Sequence, residues 1–170
     1  LLSDKVKKLD EKTQTVLQIA ACIGNRFKSK TLFEIFEDET LKQIEKNLEP
    51  ALIEGLIEPS GEFYKFTHDR IQQAVYSLIE EEEIKQVHKQ IGLILLKSIP
   101  EEEHEERIFD IVNQLNLGSE LFQKTEDKII LANLNLQAGI KAKSSAAYKP
   151  AYNYLNAGIA QLPDEKWAKH

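Results

Sequence analysis

Few residues in this chain have the chemistry of a site, and their spacing narrows the choice further. It contains four histidines and one cysteine. No two histidines stand at a metal-ligand spacing such as H-E-x-x-H, and one cysteine can form neither a cysteine cluster nor an internal disulfide. Cys22 follows Ala20 and Ala21 on a predicted helix, the setting of a small core residue rather than of a nucleophile. His88 falls on an apolar stripe and reads as a core histidine bonded to a backbone carbonyl. His104 lies in an acidic run read as exposed, and His170 is terminal. Carboxylates are abundant but come in solvated runs, Glu80–Glu83 and Glu101–Glu106 (the latter broken by His104), with no converging acid–base pair. No nucleophile-elbow motif occurs. The chain therefore reads as non-catalytic, with no metal and no cofactor of its own.

His68 is placed differently. Before it, Tyr64, Phe66 and His68 point one way and Phe63, Lys65 and Thr67 the other, the period of a short half-buried strand. At Asp69 the period changes: Ile71, Ala74, Val75, Leu78 and Ile79 recur at three and four, an amphipathic helix. Asp69 reads as the N-cap of that helix, with Gln72 at the reciprocal capping-box position. His68 thus ends a strand at the mouth of a helix N-terminus, where the dipole favours anions. Two readings stand beside each other. The imidazole is a satisfied, half-buried group that orders the junction, or it reaches an anionic ligand.

The elements that position this junction can be read in turn. Residues 4–24 read as one helix, with Leu9, Val16, Leu17, Ala20 and Ile23 as its stripe and Gly24-Asn25 as its stop. Ser29 can cap a second helix carrying Leu32, Phe33, Ile35 and Phe36. Asp38 can cap a third, with Leu41, Ile44, Leu48, Ala51 and Leu52 on one face, which Pro50 should kink or split near Asn47. Gly55 ends it. Leu56-Ile57 and Phe63–Phe66 then flank a turn at Glu58-Pro59-Ser60-Gly61. Three helices and a two-stranded hairpin make a winged helix, assigned to residues 1–82.

Residues 83–170 read as helical throughout. Ile84, Val87, His88, Ile91, Leu95 and Ser98 form one stripe, stopped near Pro100. Ile108, Ile111, Val112 and Leu115 form another, stopped at Gly118. Thr125 is expected to cap a helix to about Ala142, and Ser145 the next, to about Leu162. Gly139, Ala142, Ala151, Leu155, Gly158 and Pro163 fall at the small and apolar positions of a tetratricopeptide repeat, with Asn135 where a large aromatic is usual. One repeat cannot bury its own faces, so the chain is expected to continue past His170. An apolar strip near Tyr152, Ile159 and Trp167 should then be covered by self-association or a partner.

The totals bound the function. At 170 residues there is room for one large or two small domains. The composition, 42% hydrophobic and 29% charged, is that of an ordinary globular protein. No apolar run reaches the roughly 18 residues a membrane helix needs, and no signal-peptide pattern occurs, so a cytoplasmic setting is expected. A net charge of -6 argues against non-specific nucleic-acid binding. The third helix, which would enter a DNA groove, sets Lys42 and Lys46 against Glu39, Glu45, Glu49 and Glu54. With no methionine and an opening Leu1-Leu2-Ser3, the chain reads as a piece of a longer protein.

Several segments resemble a family. Ala20–Phe27 (AACIGNRF), Leu52–Ile79 (LIEGLIEPSGEFYKFTHDRIQQAVYSLI), His88–Leu96 (HKQIGLILL) and Leu134–Tyr148 (LNLQAGIKAKSSAAY) look like the region after the ATPase core of STAND-type signalling ATPases. The similarity is greatest to large bacterial sensor proteins that join an AAA-like ATPase to serine/threonine kinase, GAF and histidine kinase modules. It covers nearly the whole chain, and F-x-F-x-H-D-R-I-Q-Q-A-x-Y is its most specific string. In such ATPases a winged helix ends its hairpin with a hydrophobic–His–Asp motif, whose histidine reaches bound ADP and holds the closed state. Thr67-His68-Asp69 matches, so the resemblance implies those nucleotide-sensing roles for His68 and Asp69, with ATP or ADP bound elsewhere in the parent. The phosphate-binding loop G-x-x-x-x-G-K-[ST] is absent from this chain. The implied function is a non-catalytic regulatory module whose partners are the parent's ATPase core and neighbouring repeats. The alternatives are a DNA-contacting winged helix of a transcription regulator and a plain interaction scaffold.

Overall fold

The structure, a computed structural model, describes residues 2–163 and divides after Ile84 into two compact units. The described residues are mostly α-helical with one small antiparallel sheet.

The first unit opens with two helices where one was expected, α1 (Leu2–Lys7) and α2 (Glu11–Ile23). The break lies at Asp10, whose carboxylate accepts from Thr13 N at 3.0 Å and Thr13 Oγ1 at 2.7 Å. Gln14 Nε2 donates at 2.7 Å to the Leu9 carbonyl. A good N-cap with a matching third residue outweighs a continuous apolar period. A short strand, β1 (Arg26–Phe27), follows, then α3 (Ser29–Ile35), preceded by Lys28 without a side-chain cap. α4 (Leu41–Ile53) starts from Thr40 and not from Asp38, because Thr40 and Gln43 form a full capping box. Pro50 does not split α4 into two elements. It lies in the last turn, where it removes a single backbone bond, and Leu48 and Ala51 on either side are fully buried.

Gly55 closes α4 as expected. Its φ of +68° is the left-handed conformation, and Leu56 N to Ala51 O (2.9 Å) with Gly55 N to Leu52 O (3.1 Å) completes a Schellman motif. The hairpin β2 (Ile57–Ser60) and β3 (Phe63–Phe66) is longer than its expected form: Glu58, Pro59 and Ser60 pair with Lys65, Tyr64 and Phe63. The turn is therefore Gly61-Glu62, with Gly61 at φ +64°. β2 is an edge strand, where a proline is tolerated. The other edge is β1, a third strand not foreseen, with Arg26 opposite Lys65 and Phe27 opposite Tyr64. Phe27 packs its ring on Tyr64 and Phe66 at 6.0 and 5.7 Å. α5 (Asp69–Tyr76) follows and buries Ile71 and Val75 in the same core as Leu17, Leu32, Ile44, Leu48 and Phe66.

α6 (Glu81–Ser98) begins just before the division, with Glu81–Glu83 in its first turn, as the macrodipole favours. Within the second unit lie α7 (Ile108–Leu117), α8 (Thr125–Ser144) and α9 (Tyr148–Ile159). Glu101–Glu103 forms a 3-10 turn. Lys124, not Thr125, precedes α8. Ser145 ends α8 instead of capping α9, which starts after Ala146 (φ 58°) and Ala147. α8 and α9 run antiparallel with very close approach. A Cβ on Gly139 would meet Leu155 Cδ2 at 2.7 Å, and one on Gly158 would meet the Ala132 carbonyl and Asn135 Cβ at 3.1 Å.

Candidate functional site

The junction between β3 and α5 is built from both sides. Thr67 is tied back to the end of α4: its N bonds Leu56 O at 3.0 Å and its hydroxyl bonds Gly55 O at 2.8 Å. Phe66 N donates to Asn25 O at 3.0 Å, so the end of α2 is held against β3. His68 is the residue before the first turn of α5, extended at φ -145° and ψ 145°, and its carbonyl accepts from Ile71 N at 2.9 Å.

The helix start differs from expectation in two respects. The cap position belongs to His68, and Asp69 is the first helical residue. No capping box forms. Asp69 Oδ1 instead accepts from Asn25 Nδ2 at 2.9 Å, and Gln72 Nε2 donates to Ala21 O at 3.0 Å. Both side chains thus lock α5 to the end of α2, satisfying carbonyl and amide groups across 44 and 51 positions of sequence. A tertiary partner has replaced the local one.

His68 itself is exposed, as are Asp69 and Arg70. The reading of His68 as a half-buried, satisfied histidine is therefore overturned. Its imidazole has no hydrogen-bond partner among the described residues, while its backbone is fixed on both sides. Phe66 turns into the core and ends the alternation; two residues later the backbone has already left the sheet. The arrangement can present one aromatic nitrogen donor or acceptor, on a rigid mount, to whatever approaches this corner.

The solvent face of the same sheet gathers cations that the sequence did not single out. Arg26 and Lys28 lie over the Phe63 ring at 4.4 and 4.8 Å. Lys28 pairs with Glu62 at 3.3 Å and Lys65 with Glu58 at 2.8 Å. These are exposed pairs with modest strength. Strand pairing alone brings Arg26 to Lys65, which is why their distance in sequence hid them.

The other candidate residues have settings of their own. Cys22 is buried, and desolvation pushes its thiol up to about 12, so it stays protonated and inert. His88 is buried, with its Nδ1 at 2.7 Å from Gln114 Oε1, a side-chain amide. His104 is half-buried and not exposed, its Nε2 at 2.8 Å from the Ile99 carbonyl. No cluster of metal-ligating residues occurs among the described residues. His170 and Trp167 lie outside them.

Comparison with known proteins adds one relative to this geometry. The chain is 28% identical, over an alignment 211 positions long with its gaps, to hybrid signal transduction histidine kinase G of Dictyostelium discoideum. It is similar to part of a signalling kinase. The match covers 94% of this chain but only 6% of that protein. It therefore includes the His68 corner and both units, within a far longer polypeptide. No protein-family model matches the chain, and no solved structure matches it significantly.

Proposed function

We propose that this chain is a non-catalytic regulatory module of a large signal-transduction protein, cytoplasmic, in which nucleotide state is coupled to a kinase output. In this reading residues 1–82 act as a winged helix and residues 83–170 as tetratricopeptide-like repeats. The ATPase core that binds ATP or ADP belongs to the parent. The observation that carries the proposal is the state of His68: its imidazole is exposed and unpartnered among the described residues, on a junction where Thr67, Asp69 and Gln72 are all hydrogen-bonded. The similarity to a histidine kinase over nearly the whole chain supports a signalling context.

The proposed mechanism is differential contact. His68 donates to an ADP phosphate in the closed state and loses that contact in the open one, which biases the switch. A hydrogen bond to a charged group is worth about 1.5–3 kcal/mol. Asp69 acts indirectly, through Asn25, by fixing the path of the chain at His68. The test is His68→Ala in the full-length parent, measuring ADP release and kinase output. Faster release with raised output supports the proposal; unchanged release and output contradict it.

The same reading gives the stripe Tyr148, Tyr152 and Ile159 a role. These residues recur on one face of α9, are exposed, and would receive the next helix of a repeat array. Ile159 is 48% exposed, whereas Ala151 and Gly158 of the same helix are buried.

A further inference from the structure

The two edges of the small sheet are finished differently. Phe66 N donates to Asn25 O on the β1 side at 3.0 Å, and Thr67 N donates to Leu56 O on the β2 side at 3.0 Å. Successive residues of β3 therefore bond opposite neighbours: Tyr64 and Phe66 serve β1, Phe63 and Lys65 serve β2. Pro59 stands opposite Tyr64 and Arg26 opposite Lys65, so each turns its own backbone groups away from β3. On the β2 edge that outward position holds a proline, which has no N–H to offer a further strand. On the β1 edge it holds Arg26, which is exposed and whose N–H and C=O bond no described residue. Gly24 puts no side chain beside them; a Cβ there would lie 3.9 Å from the Arg26 carbonyl oxygen.

Charge on the solvent face decides which strand this edge admits. Side chains stand close in a non-hydrogen-bonded pair, so Arg26 beside Lys65 is a like-charge pair that costs the sheet stability. Lys65 and Lys28 each have a carboxylate, Glu58 and Glu62. Arg26 has no acid beside it among the described residues, and its guanidinium lies on the Phe63 ring at 4.4 Å. A cation at an open edge turns away strands at random. The strand it accepts is one that brings a carboxylate to the same face, where the planar fork of the guanidinium can donate to both oxygens. We infer that β1 is a docking edge for an extended acidic segment of a partner protein. The segment adds antiparallel to β1, exchanges backbone hydrogen bonds with Arg26, and sets a Glu or Asp on its guanidinium.

This inference is independent of nucleotide sensing at His68, because a change at Arg26 leaves the imidazole in place. Fluorescence anisotropy of a short labelled peptide of alternating Thr and Glu, titrated with the 170-residue chain, tests it. The expected result is saturable binding that Arg26→Gln weakens roughly tenfold or more, the size of a lost hydrogen bond between charged groups, with circular dichroism and melting unchanged. A peptide with Gln in place of Glu should lose as much against the unaltered chain. Methylating the backbone nitrogens of the Glu residues should abolish binding, because it removes the donors that reach Arg26 O. Hydrogen exchange at the Arg26 amide should slow when the peptide is bound. Absence of binding at millimolar peptide, or an Arg26→Gln variant that binds as tightly as the parent chain, would overturn the inference. So would an N-methylated peptide that keeps its affinity, since that outcome marks a general attraction of acid to surface lysines and not an added strand.

Discussion

At the scale of single residues, what distinguishes His68 from the other histidines is what surrounds it. His88 and His104 have found partners inside the fold, at 2.7 and 2.8 Å. His68 has not, although its neighbours Thr67, Asp69 and Gln72 all have. A substitution there should therefore change function with little cost in stability. His68→Ala is expected to shift the denaturant midpoint by no more than about 0.5 kcal/mol, the range of exposed positions outside special features. Asp10 offers the opposite case. Its bonds to Thr13 hold its carboxyl below the usual carboxylate range. Because the folded value is the lower one, its contribution is present above the unfolded value and lost as pH falls through the folded one. Asp10→Ala should cost about 1 kcal/mol at neutral pH, as for other N-caps. The difference between the two proteins should vanish in acid, which urea titration at several pH values would measure.

Whole elements were legible where periodicity ran long, and illegible where a tertiary contact decided. α4, α6 and α7 bury most of their predicted stripes because ten or more residues share one period, while Leu41 and Ser98, at helix ends, are exposed. β1 could not be seen: two residues carry no alternation, and only Lys65 and Tyr64 across the sheet make Arg26 and Phe27 a strand. The capping box at Asp69 was a sound local expectation that Asn25 and Ala21 overrode from α2. Exposure of His68 was likewise hidden, since alternation says which face a side chain takes but not where the sheet ends. The small residues of α8 and α9 were legible and their reason is now geometric. Gly158 faces a carbonyl and a Cβ that cannot step aside, so Gly158→Val should destabilise by about 1–3 kcal/mol. Asn135, fully buried where an aromatic was the usual residue, spends that position on an amide pair with Asn116. Asn135→Ala should cost about 1–3 kcal/mol by stranding that partner, read from thermal or urea unfolding.

At the scale of the molecule, two compact units sit in a chain that spans about 6% of the relative it matches. No described helix is long and apolar enough to cross a membrane. The first unit offers a rigid corner with one free imidazole, and the second offers helix faces for other helices. The central claim is that His68 senses nucleotide there, and ADP release from the full-length parent measures it most directly. The account predicts that His68→Ala releases ADP about ten- to a hundredfold faster, with folding stability unchanged. A variant that releases ADP at the rate of the unaltered protein would contradict it.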